Sequence, residues 1–396
     1  MHKQFLLCVI AALPLLLAAD WPQFRGVGQQ SVAESSKPPL EWSDDKNVAW
    51  KAPLVGRGVS SPIVVGGKAI VTASSWPKQD RLYVLAFDVK TGKELWRRAF
   101  WATGWTFTHT VSANAAPTPA SDGKHVVAFW SSNDLACLDL DGNLKWFRGL
   151  ASDYPNTRND VGMSSSPLIA GDTVVVQMEN QADSWAGGID IATGEDRWRV
   201  DRPRENAWTT PALFQSGKQA LVLLQSIKYL TAHDAATGRE VWKYTANCGG
   251  IPSTTVAGNG IYLPANGITK LTLSGNEPIV DWDSNRINPG NSSPVIYDGN
   301  VYIISRAGVL SCADTAKGAQ LWQTRLKGTF WSTPVIANGH LFAVNQDGQT
   351  LVVKLGEKGE IVATNEIKDQ VLASPAIADD AFYLRSDKFL WKIAAP

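Results

Sequence analysis

Residues able to do chemistry are thinly spread along this 396-residue chain. Glu179, Asn180 and Asp183 offer oxygen atoms close together, but a hard cation needs several oxygen ligands and these three cannot complete a set. The phrase DLDGN at 139–143 begins like a calcium loop, yet Leu150 stands where the bidentate Glu belongs, so it reads as a hairpin turn. No HExxH or GxSxG is present, and GVGQQ after FRG lacks the strand-to-helix setting of a dinucleotide fingerprint. Of five His, His109 alone falls in a long loop, and no His–carboxylate–nucleophile set can be assembled from spacing. What remains is binding chemistry. Arg57, Arg158, Arg204, Lys228, Arg306 and Lys388 can pair with carboxylates of a small acid or a protein. Trp185, Trp208 and Trp331 can stack on a flat ligand or a peptide. Each also has a plain role as an exposed charge or as loop packing.

Bulk composition narrows the classes. Lys plus Arg number 37 and Asp plus Glu 37, so no net field gathers nucleic acid or acidic lipid. Residues 1–19, MHKQFLLCVIAALPLLLAA, have a basic start, an apolar run too short to span a bilayer comfortably, and small residues before Asp20. That is the pattern of a cleavable export signal, which places the protein in the periplasm or outside the cell. No later stretch is apolar enough to be transmembrane. Without the signal, Cys137, Cys248 and Cys312 remain, with no CxxC and no adjacent pair, so stability must come from the core.

The elements that position these residues are repeats. DVKTGKELW at 88–96 returns as DIATGEDRW at 190–198, DAATGREVW at 234–242 and, loosely, DTAKGAQLW at 314–322. Each unit opens on a small-polar-Pro step: SSP at 60–62, AAP at 115–117, SSP at 165–167, TTP at 209–211, SSP at 292–294, STP at 332–334 and ASP at 373–375. A weaker start without the proline lies at Ser253, giving eight. After each step come a short apolar run and alternating segments separated by Gly, Asp or Asn turns, such as VYIIS at 301–305. Alternation over such lengths is strand chemistry, and four strands per unit of about 40 residues, repeated, means the blades of a β-propeller.

The Trp that closes each phrase belongs to the outermost strand. Trp50, Trp96, Trp146, Trp198, Trp242, Trp282 and Trp322 are the expected docking residues, each lying across the junction to the next blade. A buried indole removes on the order of 200 Å² from water, several kcal/mol gross at roughly 25 cal/mol/Å². The seventh unit has Ala363 in the Trp place, so its junction is expected to be the weakest. The last unit supplies three strands, and NVAWKAPL at 47–54 is available to complete it and close the ring without a free edge. The expected organisation is a signal at 1–19, an N-terminal strap at 20–46, and an all-β, eight-bladed propeller of four-stranded antiparallel blades at 47–396.

These units resemble the Trp-docking repeat of pyrroloquinoline quinone (PQQ) propellers, the fold of quinoprotein alcohol dehydrogenases and of the non-catalytic propeller of outer-membrane protein assembly. The opening DWPQFRG at 20–26, with WSDDKNVAWKAPLVGRGVSSP at 42–62, resembles exported bacterial PQQ-like repeat proteins. The resemblance implies a funnel at the pseudo-symmetry axis, bordered by the long insertions 97–115, 147–165 and 178–188. It also implies a calcium ligand at Glu179, beside a PQQ whose carboxylates Lys228 and Arg306 would pair. The adjacent-cysteine disulfide and the CxxCH haem motif of such enzymes are absent. The leading expectation is therefore an exported, monomeric, non-catalytic propeller, without cofactor, that binds a protein or small ligand at its funnel. The alternative is a periplasmic PQQ- and calcium-dependent alcohol or sugar dehydrogenase.

Overall fold

The computed structural model describes residues 20–44, 46–157 and 161–396; the segment 1–19, expected to be an export signal, and Arg158 lie outside these residues. The chain forms eight four-stranded antiparallel sheets, each built from strands that follow one another in sequence, except the last. We number the blades from Ile63. The eighth orders its strands as Ala376–Ala378, Ala381–Arg385, Phe389–Ile393 and finally Val48–Pro53, so the chain's beginning completes its end. Trp50 pairs with Lys392 in that ladder. Among the described residues the helices are one short turn at Leu150–Asp153 and a 3-10 turn at Val27–Gln29, and no helix is long and apolar enough to cross a membrane.

Each recurring Trp works together with the recurring turn of the next blade. The Asp of that turn receives backbone N–H groups, as Asp190 Oδ1 does from Ala192 and Thr193 at 2.9 Å. The turn then reaches Gly194 at φ 77°, a conformation that costs glycine nothing. The Trp146 indole of the preceding blade lies on that glycine, 2.7 Å from where a Cβ would stand, and donates Nε1–H to Ile191 O at 2.8 Å. Trp50, Trp96, Trp198, Trp282 and Trp322 make the equivalent bond to Val89, Leu140, Ala235, Thr315 and Gly356. Trp282, whose copy of the phrase is irregular, docks like the rest. Trp242 is the exception: its Nε1 is buried without a partner. Blade five meets it with a two-residue hairpin, Ser274 pairing directly with Glu277, and so offers no Asp-x-x-Thr-Gly turn to receive the indole.

The small-polar-Pro step has its own mechanical role. Its second hydroxyl reaches back and accepts the corresponding N–H of the preceding blade. Ser61 N–H donates to Thr118, Thr118 to Ser166, Ser166 to Thr210, Thr210 to Ser253, Ser253 to Ser293, Ser293 to Thr333 and Thr333 to Ser374, all at 2.8–3.1 Å. In blade two, where the step reads Ala115-Ala116-Pro117, Thr118 after the proline takes the part. The first hydroxyl secures its own blade, as Thr209 Oγ1 does by donating to Gln225 O at 2.7 Å and Ser332 Oγ to Val344 O at 2.6 Å. The step is thus a collar of hydrogen bonds around the axis.

The strap crosses the end of the ring where the innermost strands finish. Trp21 bridges to Val64, Pro22 O accepts from Ser121, and Arg25 donates to Thr255 Oγ1 and Thr254 O. Gln29 bonds Pro211 O and Leu213 N–H, and Val32 bridges to Ile336. Trp42 then enters the junction between blades seven and eight, 5.3 Å from Phe382 and 6.5 Å from Phe342 by ring centroids. The space left by Ala363 is filled from the strap, so an indole stands at the seventh junction as at the others.

Candidate functional site

The loops that enter the innermost strands surround a cavity of about 480 Å³ on the propeller axis. Its collar is the set of eight step hydroxyls, Ser61, Thr118, Ser166, Thr210, Ser253, Ser293, Thr333 and Ser374. Phe24 of the strap is its floor, and Trp208, Trp331, His109, Asn206 and Asn291 stand in its wall. Among the described residues, no Arg, Lys, Asp or Glu lines it.

The ionisable residues expected at the funnel have other places. Arg204 pairs with Asp183 at 2.6 Å, and Lys228 is in contact with Glu205. Arg57 donates to Thr110 O at 2.7 Å and lies 4.0 Å from Asp387. Arg306 lines a separate depression of about 200 Å³ with Asn266, Asn288 and Asn291. Lys388 is likewise absent from the cavity wall. Arg204 and Lys228 are thus taken up by carboxylates of the loop face, and none of the named cations among the described residues lines the axial cavity.

Glu179 is neither a solvated turn carboxylate nor an open metal ligand. It is 2% exposed, and its Oε1 accepts from Arg202 Nε at 2.7 Å and Gln177 Nε2 at 2.9 Å. Arg202 continues to Thr231 Oγ1 and Leu224 O in blade four, so the pair ties blade three to blade four. Burial outweighs the Arg202 charge and pushes the Glu179 carboxyl up to about 7. Among the described residues no three His, Cys, Asp or Glu are grouped to hold a metal ion. Trp185 is also corrected: it opens the strand Trp185–Asp190, is 1% exposed, stacks edge-on to Tyr154 at 4.5 Å and donates to Thr157 Oγ1. It is core, with no face for a ligand.

Trp208 and Trp331 are half-buried, and both indole N–H groups are committed, to Gly162 O at 2.8 Å and Gln346 Oε1 at 3.0 Å. The rings are thereby oriented and present faces rather than donors. His109 reaches the cavity from the long loop of blade one, its Nδ1 taken by Val111 N–H at 3.3 Å. Further along the same side of the molecule is a feature that residue-by-residue reading passed over. Trp101, Trp105 and Phe107 are 56%, 52% and 59% exposed, and Trp76 from a neighbouring hairpin, 65% exposed, lies 6.1 Å from Trp101. The signal was the aromatic run FWATGWTFTH, legible in the sequence as an aromatic-rich insertion.

Fold, docking turns and collar define the class: an eight-bladed PQQ-like propeller. The chain belongs to the PQQ-like repeat family described as outer membrane protein assembly factor BamB, whose pattern matches residues 32–181, 83–250 and 272–355. It is 28% identical over 180 residues to the outer membrane protein assembly factor BamB of Escherichia coli strain K12, a match spanning 45% of this chain and 44% of that one. The chain thus matches less than half the length of that relative. The crystal structure of BamB from Moraxella catarrhalis superposes with a TM-score of 0.63 at 18% identity, covering 87% of this chain and 96% of that one. A europium-containing methanol dehydrogenase gives 0.70 at 13% identity, covering 94% and 91%. At such identities the two structures establish the shared fold.

The residues present do not fit PQQ with calcium on the axis. Among the described residues a tricarboxylate would meet a wall without Arg or Lys, and the expected calcium ligand Glu179 is buried against Arg202. Desolvating several carboxylates without counter-charges is costly.

Proposed function

We propose that this protein is an exported, non-catalytic propeller scaffold that holds a protein partner on its loop face, as a monomer comprising a strap at 20–46 and a ring at 47–396, with 1–19 as its export signal. The observation that supports this most is the exposed pair Trp76 and Trp101, with Trp105 and Phe107 exposed a few residues on in the same loop. Exposed aromatics grouped in one place mark interaction surfaces, and Trp is prominent among residues that dominate binding. The relatives' name adds the kind of partner: a component of outer-membrane protein assembly.

The test is co-purification with such components from envelope extracts. Trp101→Ser with Phe107→Ser should abolish capture, while Lys228→Glu with Arg306→Glu should leave it. The reverse pattern would move the surface to the funnel-side charges. The second reading, a PQQ- and calcium-dependent dehydrogenase, draws on a likeness in fold to dehydrogenases such as the methanol dehydrogenase. Calorimetric titration with PQQ plus calcium separates the two, and saturable tight binding would favour the enzyme.

A further inference from the structure

The axial cavity has a chemistry of its own, distinct from the aromatic surface proposed for a partner. We infer that it binds an uncharged, hydroxyl-rich ring compound, a carbohydrate of one or two sugar units, between the Trp208 and Trp331 walls and the collar of Ser and Thr hydroxyls.

The wall selects by exclusion first. Among the described residues no Arg, Lys, Asp or Glu lines it, and against that wall a charged ligand would lose its hydration without gaining a counter-charge. A purely apolar ligand fares little better, because it would cover eight hydroxyls and the Asn206 and Asn291 amides without pairing them. Among the described residues none of these eight hydroxyls donates to a protein acceptor, while seven of them accept a backbone N–H. A hydroxyl has one hydrogen and two lone pairs, so each of those seven keeps a donor and an acceptor for a ligand.

Three further features favour a sugar. The Trp208 and Trp331 rings are fixed through their N–H groups and offer apolar faces, which suit the C–H face of a pyranose. Asn291 and Asn206 bring amide groups to the wall, chemistry that suits a hydroxyl-rich ligand. The volume, about 480 Å³, lies within the roughly 300–1,000 Å³ typical of small-molecule sites. Phe24 closes the far side, so a ligand enters from the loop face and is enclosed on the axis.

The experiment is isothermal titration of the full folded protein with N-acetylglucosamine, maltose and cellobiose, with glucuronate as the charged comparator. Saturable binding of at least one neutral sugar is expected, weakened about tenfold or more by Trp331→Ala and by Asn291→Ala, each first shown to keep the wild-type unfolding midpoint to within a few degrees. Arg306→Glu, outside the cavity, should bind as wild type does. Three results would overturn the inference: no heat with any of the three sugars, equal affinity in both cavity variants, or glucuronate bound as tightly as the neutral sugars. Capture of a partner through Trp101 and Phe107 is read separately, so either idea can fail without the other.

Discussion

The indole of Trp42 lies 5.3 Å from the Phe382 ring, wedged between blades seven and eight at the junction whose own docking position holds Ala363. Its backbone N–H donates to Asn365 Oδ1 at 2.9 Å, and Asn365 Nδ2 donates back to Leu40 O at 2.8 Å. The strap is therefore a structural member of the ring as well as a cover for its end. Trp42→Ala should destabilise the protein by about 3–5 kcal/mol, the range for removing a large buried aromatic. Chemical denaturation would measure it beside Trp282→Ala, and a cost well below that of Trp282→Ala would show that the strap is only an accessory.

The glycine of the docking turn answers two demands at once. At Gly194 the backbone has φ 77°, and a Cβ would stand 2.7 Å from the Trp146 ring. Gly194→Ala should therefore cost more than the roughly 1 kcal/mol of a strained turn alone, because the indole must also shift. At Gly217, also at positive φ, nothing lies within 4 Å of the added Cβ, so Gly217→Ala isolates the backbone contribution. Equal unfolding free energies for the two variants would contradict the docking account.

Collar hydroxyls should be worth more than their size suggests. Thr333→Val keeps the shape but leaves the Ser293 N–H, which Thr333 Oγ1 accepts at 3.1 Å, buried and unpaired. The expected loss is about 1–3 kcal/mol in denaturant unfolding. A neutral result would mean that the collar is decorative.

The Glu179–Arg202 pair predicts a pH dependence of definite sign. The folded carboxyl is raised to about 7 by burial, above its ordinary 4.5. The fold binds that proton more tightly than the unfolded chain, so this contribution is fully present below about 4.5 and is lost as pH rises through about 7. Glu179→Gln removes the titration. The melting temperature of the wild type relative to Glu179→Gln should fall between pH 4.5 and 8, and a constant difference would refute the assignment.

Much of the ring was legible because its parts recur. Asp190, Gly194 and Trp198 repeat as a phrase whose turn chemistry is local, and NVAWKAPL could be matched to a missing strand by counting. The site was less legible. Arg204 and Lys228 looked free because their partners, Asp183 and Glu205, are read as loop residues until the loops are folded together. Glu179 and Trp185 looked like loop residues because the insertion 178–188 hid two strands, Thr173–Met178 and Trp185–Asp190, that bury its ends. The collar was visible all along as SSP, TTP and STP, yet its meaning depends on which N–H stands opposite each hydroxyl.

The sequence by itself determined the blade: its strands, its turn, its indole and the number of copies, because those follow from short-range periodicity and backbone sterics. Tertiary structure decided what the copies enclose. Closing the ring brings eight hydroxyls, distant along the chain, to one axis, and it sends Trp42 and Phe24 of the strap to places that no local pattern marks. Charge pairing and burial depend on neighbours in space, so a cavity wall without Arg, Lys, Asp or Glu among the described residues came into being only when the loops met.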